Sequence, residues 1–192
     1  MKQPLLQAYL GGMIKKIYSL LLRMMGWKYS LKAEIPNKCV ICVAPHTSNW
    51  DFIIGMIFYK SLGKNPNFLM KKTWFFFPFN YIFKAIGGFP VDRKKKTSLT
   101  KQMKKEFEKR DQFQLTITPE GTRKKNDKWK TGFYYIAQEA QVPITLAYLD
   151  YSKKTIGTLG NFEPSGDVNG DIDKIKQCYK NIQGKHLERF SI

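Results

Sequence analysis

Hydrophobic and polar positions along the chain alternate between two periods. Cys39 to Ala44 is a continuous apolar run between Pro36 and Pro45, the pattern of a buried strand. A polar turn at Pro45–Asn49 follows, and Ser48 or Asn49 is placed to cap a helix from about Trp50 to Leu62. Phe68–Met70 reads as a short strand. Trp74–Ile86 reads as an aromatic-rich helical segment broken near Pro78, and Gly87-Gly88 turns the chain into a strand at Phe89–Val91. Ser98–Arg110 carries Leu99, Met103 and Phe107 at four-residue steps with lysines on its other faces, an amphipathic helix. Phe113, Leu115 and Ile117 alternate through Gln112–Thr118, as in a half-buried strand. A turn at Pro119–Arg123, a helix at Gly132–Ala140 and a strand at Pro143–Leu149 come next. An irregular stretch at Gly157–Gly170 and a last helix at Ile172–Ile182 complete the series. Strands alternating with helices define an α/β fold, a sheet covered by helices on both faces. No repeat or linker divides residues 1–192, which are expected to form a single domain.

The first 27 residues are apolar but interrupted by Lys15 and Lys16, and they lack the small-residue site of a cleaved signal. From Met13 onward, Ile14, Ile17, Leu21 and Met24–Met25 share one broad helical face. That face suits an amphipathic helix lying on a bilayer, or equally one packed on the domain. No run of about 20 uncharged apolar residues supports a spanning helix.

Charge sharpens the picture. The formal net charge is +18, and 26 of the 33 Lys and Arg but only 10 of the 15 Asp and Glu fall in residues 1–150. Such a field draws nucleic acid, an anionic lipid surface or a phosphorylated substrate, and does not choose among them. Cys39 and Cys42 form a C-x-x-C spacing, but residues three apart on a strand face opposite sides of the sheet. They are therefore expected to be buried thiols, with neither a disulfide nor a metal between them, in a reducing compartment.

Candidate chemistry gathers at strand ends. His46 directly follows the first buried strand, where α/β folds place ligand-binding groups, and Asp51 lies five residues on in the first helical turn. A neutral imidazole can accept a hydroxyl proton near neutral pH, and a carboxylate on its other nitrogen fixes the tautomer and stabilises the imidazolium. Neighbouring Ser48 could itself serve as a nucleophile, but nothing in the spacing requires it. Asp51 alone would also suit a helix N-terminus. At the end of the Gln112–Thr118 strand, Gly121 permits a close backbone approach, and Thr122 and Arg123 offer donors for a phosphate. Arg93 is delivered by the Phe89–Val91 strand. His186 sits among charged residues and reads as surface.

The order His46-Thr-Ser-Asn-Trp-Asp51, Phe89-Pro-Val-Asp-Arg93, Pro119-Glu-Gly-Thr-Arg123 and Val142-Pro-Ile144 resembles the glycerolipid acyltransferase family, which includes the 1-acylglycerol-3-phosphate acyltransferases. The similarity runs from about Cys39 to Tyr148. It implies a mixed, mostly parallel sheet and direct transfer of a fatty acyl group from acyl-CoA or acyl-carrier protein to a lysophospholipid hydroxyl. The default acceptor is 1-acylglycerol 3-phosphate, with an N-acyl amino acid lipid as the alternative. His46 would be the base and Asp51 its partner. Arg93, Glu120, Gly121, Thr122 and Arg123 would match the acceptor-phosphate region, and the fourth block would shape the site. No metal or bound cofactor is implied. Pro45 and Trp50 depart from the commonest form of the first block.

Between Trp74 and Phe83 lie seven aromatics in ten positions, among them Trp74, Phe75, Phe76, Phe77 and Phe79, with lysines on either side. Exposed, they would dock on an anionic membrane surface; buried, they would belong to the core. Docking places the protein on the cytoplasmic side of a membrane, peripheral or monotopic. Two other classes fit parts of the chain: a non-catalytic membrane adaptor and a nucleic-acid-binding protein. Specific nucleic-acid binding is not expected, because the aromatics form one apolar block instead of alternating with basic residues.

Overall fold

The structure, a computed structural model, describes residues 3–91 and 96–192. Its seven strands are β1 (Lys28–Leu31), β2 (Lys38–Ala44), β3 (Asn67–Lys71), β4 (Gly88–Val91), β5 (Phe113–Ile117), β6 (Ile144–Asp150) and β7 (Thr155–Phe162). They form one sheet in the order β1-β7-β6-β2-β5-β3-β4. All neighbours pair in parallel except β6 and β7, which form an antiparallel pair, so β7 and β1 run against the other five.

Six α-helices connect or flank the strands: α1 (Gln3–Met24), α2 (Trp50–Ser61), α3 (Phe79–Ala85), α4 (Lys96–Lys109), α5 (Gly132–Ala140) and α6 (Val168–Cys178). Alternate residues of β2 point to opposite faces and divide the core in two. Val40, Cys42 and Ala44 pack with Met103 and Phe107 of α4, Phe133 and Ile136 of α5, and Ile175 of α6. Cys39 and Ile41 pack with Leu22 of α1 and Ile54 and Phe58 of α2. The two cysteines are thus buried thiols on opposite faces, and burial pushes the Cys39 thiol up to about 11 and that of Cys42 higher still. The stripe of α4 behaves as its spacing requires: Met103 and Phe107 are buried, each stabilising by about 1.5–3 kcal/mol relative to exposure.

One expectation is corrected. Residues 157–170 are not an irregular stretch: Thr155–Phe162 is β7, and α6 begins at Val168. The glycines that hid this strand serve it, because a Cβ at Gly157 would collide with the Ser30 backbone of β1. The antiparallel turn after β6 is just four residues long, which closes a hairpin without a crossover helix. Of the two placements open to the apolar face of α1, most of that face takes the outward one. Leu22 is buried, with Tyr18 and Met25 beside it, against α2. Met13, Ile14, Ile17, Leu20 and Met24 instead face outward. Among the described residues no helix is long and apolar enough to cross a membrane.

Candidate active site

Five parallel strands end on one edge of the sheet, and β2 lies where the chain switches from β5 on one side to β6 on the other. Open α/β sheets bind ligands at such a switch. His46 leaves the end of β2. Asp51, in the first turn of α2, folds back beneath it with Oδ2 3.2 Å from His46 Nδ1. The same oxygen accepts the Thr47 and Ser48 N–H groups, each at 2.8 Å, and Oδ1 accepts the Tyr151 hydroxyl at 2.6 Å. Asp51 is only 4% exposed. Burial acts to raise its pKa, but the bonds from His46, Tyr151 and the Ser48 N–H together outweigh burial and hold it below its ordinary value. An ionised Asp51 requires the proton of a neutral His46 on Nδ1, which leaves Nε2 as the proton acceptor.

Glu120 braces the turn from the β5 side. Its carboxylate receives the His46 backbone N–H at 3.0 and 3.1 Å, and it is buried beneath the turn. Burial pushes this carboxyl up to about 7; the His46 N–H and imidazole pull it down, and the Asp51 charge adds to the rise. Gly121 has a left-handed φ of +66°, which favours glycine and turns the loop outward. Thr122 Oγ1 accepts the Lys124 N–H at 3.2 Å. Arg123 reaches across to a hydrogen bond with Asn49 Oδ1, joining the loop after β5 to the start of α2.

His46 lines two cavities of opposite character. One, of about 690 Å³, is polar and basic, with Thr118, Arg123, Lys124, Glu188 and Arg189 on its walls. The other, of about 910 Å³, is chiefly apolar, lined by Val43, Phe52, Met56, Phe68, Leu99 and Ile136 among others. Both volumes fall within the usual range for ligand pockets, roughly 300–1,000 Å³. Arg123 borders both, so one imidazole and one guanidinium stand where a charged group and an apolar chain would meet.

The structure therefore brings His46, Asp51, Glu120, Gly121, Thr122 and Arg123 together. Arg93 lies outside the described residues. Glu120 lines neither cavity; its carboxylate accepts the His46 backbone N–H instead. Of the aromatic block, Phe77 is 80% exposed, Trp74, Phe76 and Phe79 are exposed, and Phe75 is half-buried. Trp74 also stands at the wall of the apolar cavity. The break near Pro78 is real, dividing a short 3-10 turn at Lys72–Trp74 from α3.

Two residues at the site were not singled out in the sequence. Tyr151 follows the end of β6 as His46 follows β2, so the strand-end rule that located the histidine would have found it. Arg189 belongs to a 3-10 turn, Leu187–Arg189, far along the chain, and no local pattern marks it.

This edge holds an imidazole–carboxylate pair between a basic and an apolar cavity; residues 27–148, which carry the pair, match the Acyltransferase family, and the chain belongs to it. Among its relatives, the "Probable 1-acyl-sn-glycerol-3-phosphate acyltransferase" of Mycoplasma pneumoniae is 31% identical over 168 residues, covering 78% of this chain. The chain spans 58% of that relative's length. The crystal structure of the 1-acyl-sn-glycerophosphate (LPA) acyltransferase PlsC from Thermotoga maritima has the same fold, with a TM-score of 0.59. That match covers 92% of this chain and 80% of the other at 15% identity.

Proposed function

We propose that the protein transfers a fatty acyl group from a thioester, acyl-CoA or acyl-carrier protein, to the hydroxyl of a lysophospholipid, with 1-acylglycerol 3-phosphate as the acceptor. The observation that carries this reading is the position of His46 at the meeting of the basic and apolar cavities. Nε2 takes the proton of the acceptor hydroxyl while Asp51 stabilises the imidazolium. The hydroxyl oxygen attacks the thioester carbonyl, a C–O bond forms, and collapse of the tetrahedral adduct breaks the C–S bond. The imidazolium returns its proton to the departing thiolate, leaving an ester and a free thiol. The chemistry calls for no metal or bound cofactor.

Arg123, with Thr122 and Gly121 beside it, and Arg93 receive the acceptor phosphate. The apolar cavity takes an acyl chain. Membrane docking completes the reading. Trp74, Phe76, Phe77 and Phe79 present apolar rings, and α2, on which α1 packs, shares the apolar cavity with Trp74. Substrates held in a bilayer on its cytoplasmic side would enter from such a surface.

The test is transfer by the purified protein with anionic vesicles, either thioester donor, and 1-acylglycerol 3-phosphate or N-acyl amino acid lipids as acceptors. His46→Ala is expected to lower kcat about 10²–10⁴-fold while still binding vesicles. Near-normal turnover by this variant would remove His46 from the mechanism. A folded, vesicle-bound wild type that makes no product would favour an adaptor.

A further inference from the structure

Residues 183–191, beyond the family match, wrap one end of the site. The Gln183 carbonyl accepts the Tyr151 N–H at 2.8 Å. Gly184 is buried against the His46 turn, where an added Cβ would stand 2.9 Å from the Thr47 side chain and 3.1 Å from that of Pro45. The His186 N–H then donates to Thr47 Oγ1 at 3.2 Å. Phe190 packs against the core, and Ser191 hydrogen-bonds Asp127 in the loop beyond Arg123. The segment is thus pinned at the end of β6, over the His46 turn and at the loop after β5. A segment held at three places has its backbone already ordered, which lowers the entropic cost of binding through its side chains.

Pinned this way, the Leu187–Arg189 turn adds Glu188 and Arg189 to the wall of the basic cavity. Among the described residues, the Arg189 guanidinium makes only long contacts: Nη1 to the Thr47 carbonyl at 3.5 Å and Nε to Glu188 at 3.4 Å. An arginine has five N–H donors in a fork that matches a phosphate, so most of its capacity remains for a ligand. Arg123 and Lys124 border the same cavity, and Glu188 is its opposing carboxylate, also 3.7 Å from His186 Nδ1.

We propose that Arg189 binds a substrate phosphate in this cavity beside Arg123 and so places the reacting group at His46. This assignment rests on the acyl-transfer reading of the site. The phosphate is that of the acceptor headgroup or of the coenzyme A donor, and the measurement separates them.

The experiment is steady-state transfer by Arg189→Gln, Arg189→Lys and Glu188→Gln, varying 1-acylglycerol 3-phosphate and acyl-CoA in turn, with titration calorimetry of 1-acylglycerol 3-phosphate and of coenzyme A. Arg189→Gln is expected to raise one KM roughly tenfold, with kcat and melting temperature changing far less. Arg189→Lys should recover part of the loss, and Glu188→Gln should lower the same KM by removing the competing carboxylate. The KM that moves identifies which phosphate is bound. A fall in kcat alone, or two unchanged KM values, would overturn the assignment and leave Arg189 a prop for the His46 turn. Should the wild type transfer nothing from acyl-CoA or from acyl-carrier protein, the acyl-transfer reading fails, and calorimetry still decides. A roughly tenfold weaker affinity of Arg189→Gln for either ligand upholds the phosphate site; equal affinity, or no binding by wild type, removes it.

Discussion

Asp51 receives four donors on two oxygens: an imidazole, two backbone amides and a phenol. Each holds the carboxylate ionised, and the last comes from Tyr151, one hundred residues along the chain. Because the folded pKa is depressed, Asp51 contributes stability above its unfolded value, near 3.8, and loses it as pH falls through the lower folded value. Tyr151→Phe removes one of these bonds to a charged group, worth roughly 1.5–3 kcal/mol. Urea unfolding at pH 7 should show a loss of that order, and kcat should fall because the imidazole is less well held. Unchanged stability and turnover would mean that Asp51 does not depend on Tyr151. Glu120 has the opposite sign. Its folded value, about 7, lies above the unfolded 4.5, so the folded state keeps a proton that the unfolded state releases between those limits. Stability from Glu120 is complete below about pH 4.5 and is lost as pH rises through 7, by roughly 3 kcal/mol at most. The stability difference between wild type and Glu120→Gln should therefore shift in favour of the variant between pH 5 and pH 8. Parallel pH curves would show that Glu120 titrates normally.

At the scale of elements, the parallel strands and their helices carry the site, and the β6–β7 hairpin with β1 extends the sheet away from it. That extension depends on the close approach of β1 to Gly157. Gly157→Val should cost about 1–3 kcal/mol by overpacking and loosen β1 selectively. Hydrogen exchange would report it through lost protection of the Lys28 and Lys32 amides, which bond the Lys154 and Thr158 carbonyls, while β2 stays protected. Equal loss of protection in both strands would show that β1 is not a separable edge. The same position illustrates what local pattern cannot reveal: glycine lowers strand propensity, and its value here lies in a neighbour that is distant in sequence.

At the scale of the molecule, the proposed membrane docking rests on a charge of +18 and on the exposed rings of Trp74, Phe76, Phe77 and Phe79. Lysines near an anionic bilayer contribute roughly 1 kcal/mol each and are screened by salt, whereas ring insertion is not. Vesicle co-sedimentation should therefore weaken when anionic lipid is withdrawn or salt is raised. Trp74→Ser with Phe77→Ser should weaken it at every salt concentration. Binding that ignores the aromatic substitutions would assign those rings to another role.

Periodicity determined most of the architecture by itself. The β2 run, the α4 stripe and the alternation of β5 each mark a side chain's face through spacing alone, since a strand repeats every two residues and a helix every 3.6. The strand-end position of His46, its spacing to Asp51 and the Pro119–Arg123 turn were legible for the same reason, being local. The sheet order, the outward apolar face of α1, Tyr151 beneath Asp51 and Arg189 beside Arg123 were decided only by tertiary structure. Each depends on segments far apart in the chain meeting at one edge, and no local pattern records which of them will be neighbours.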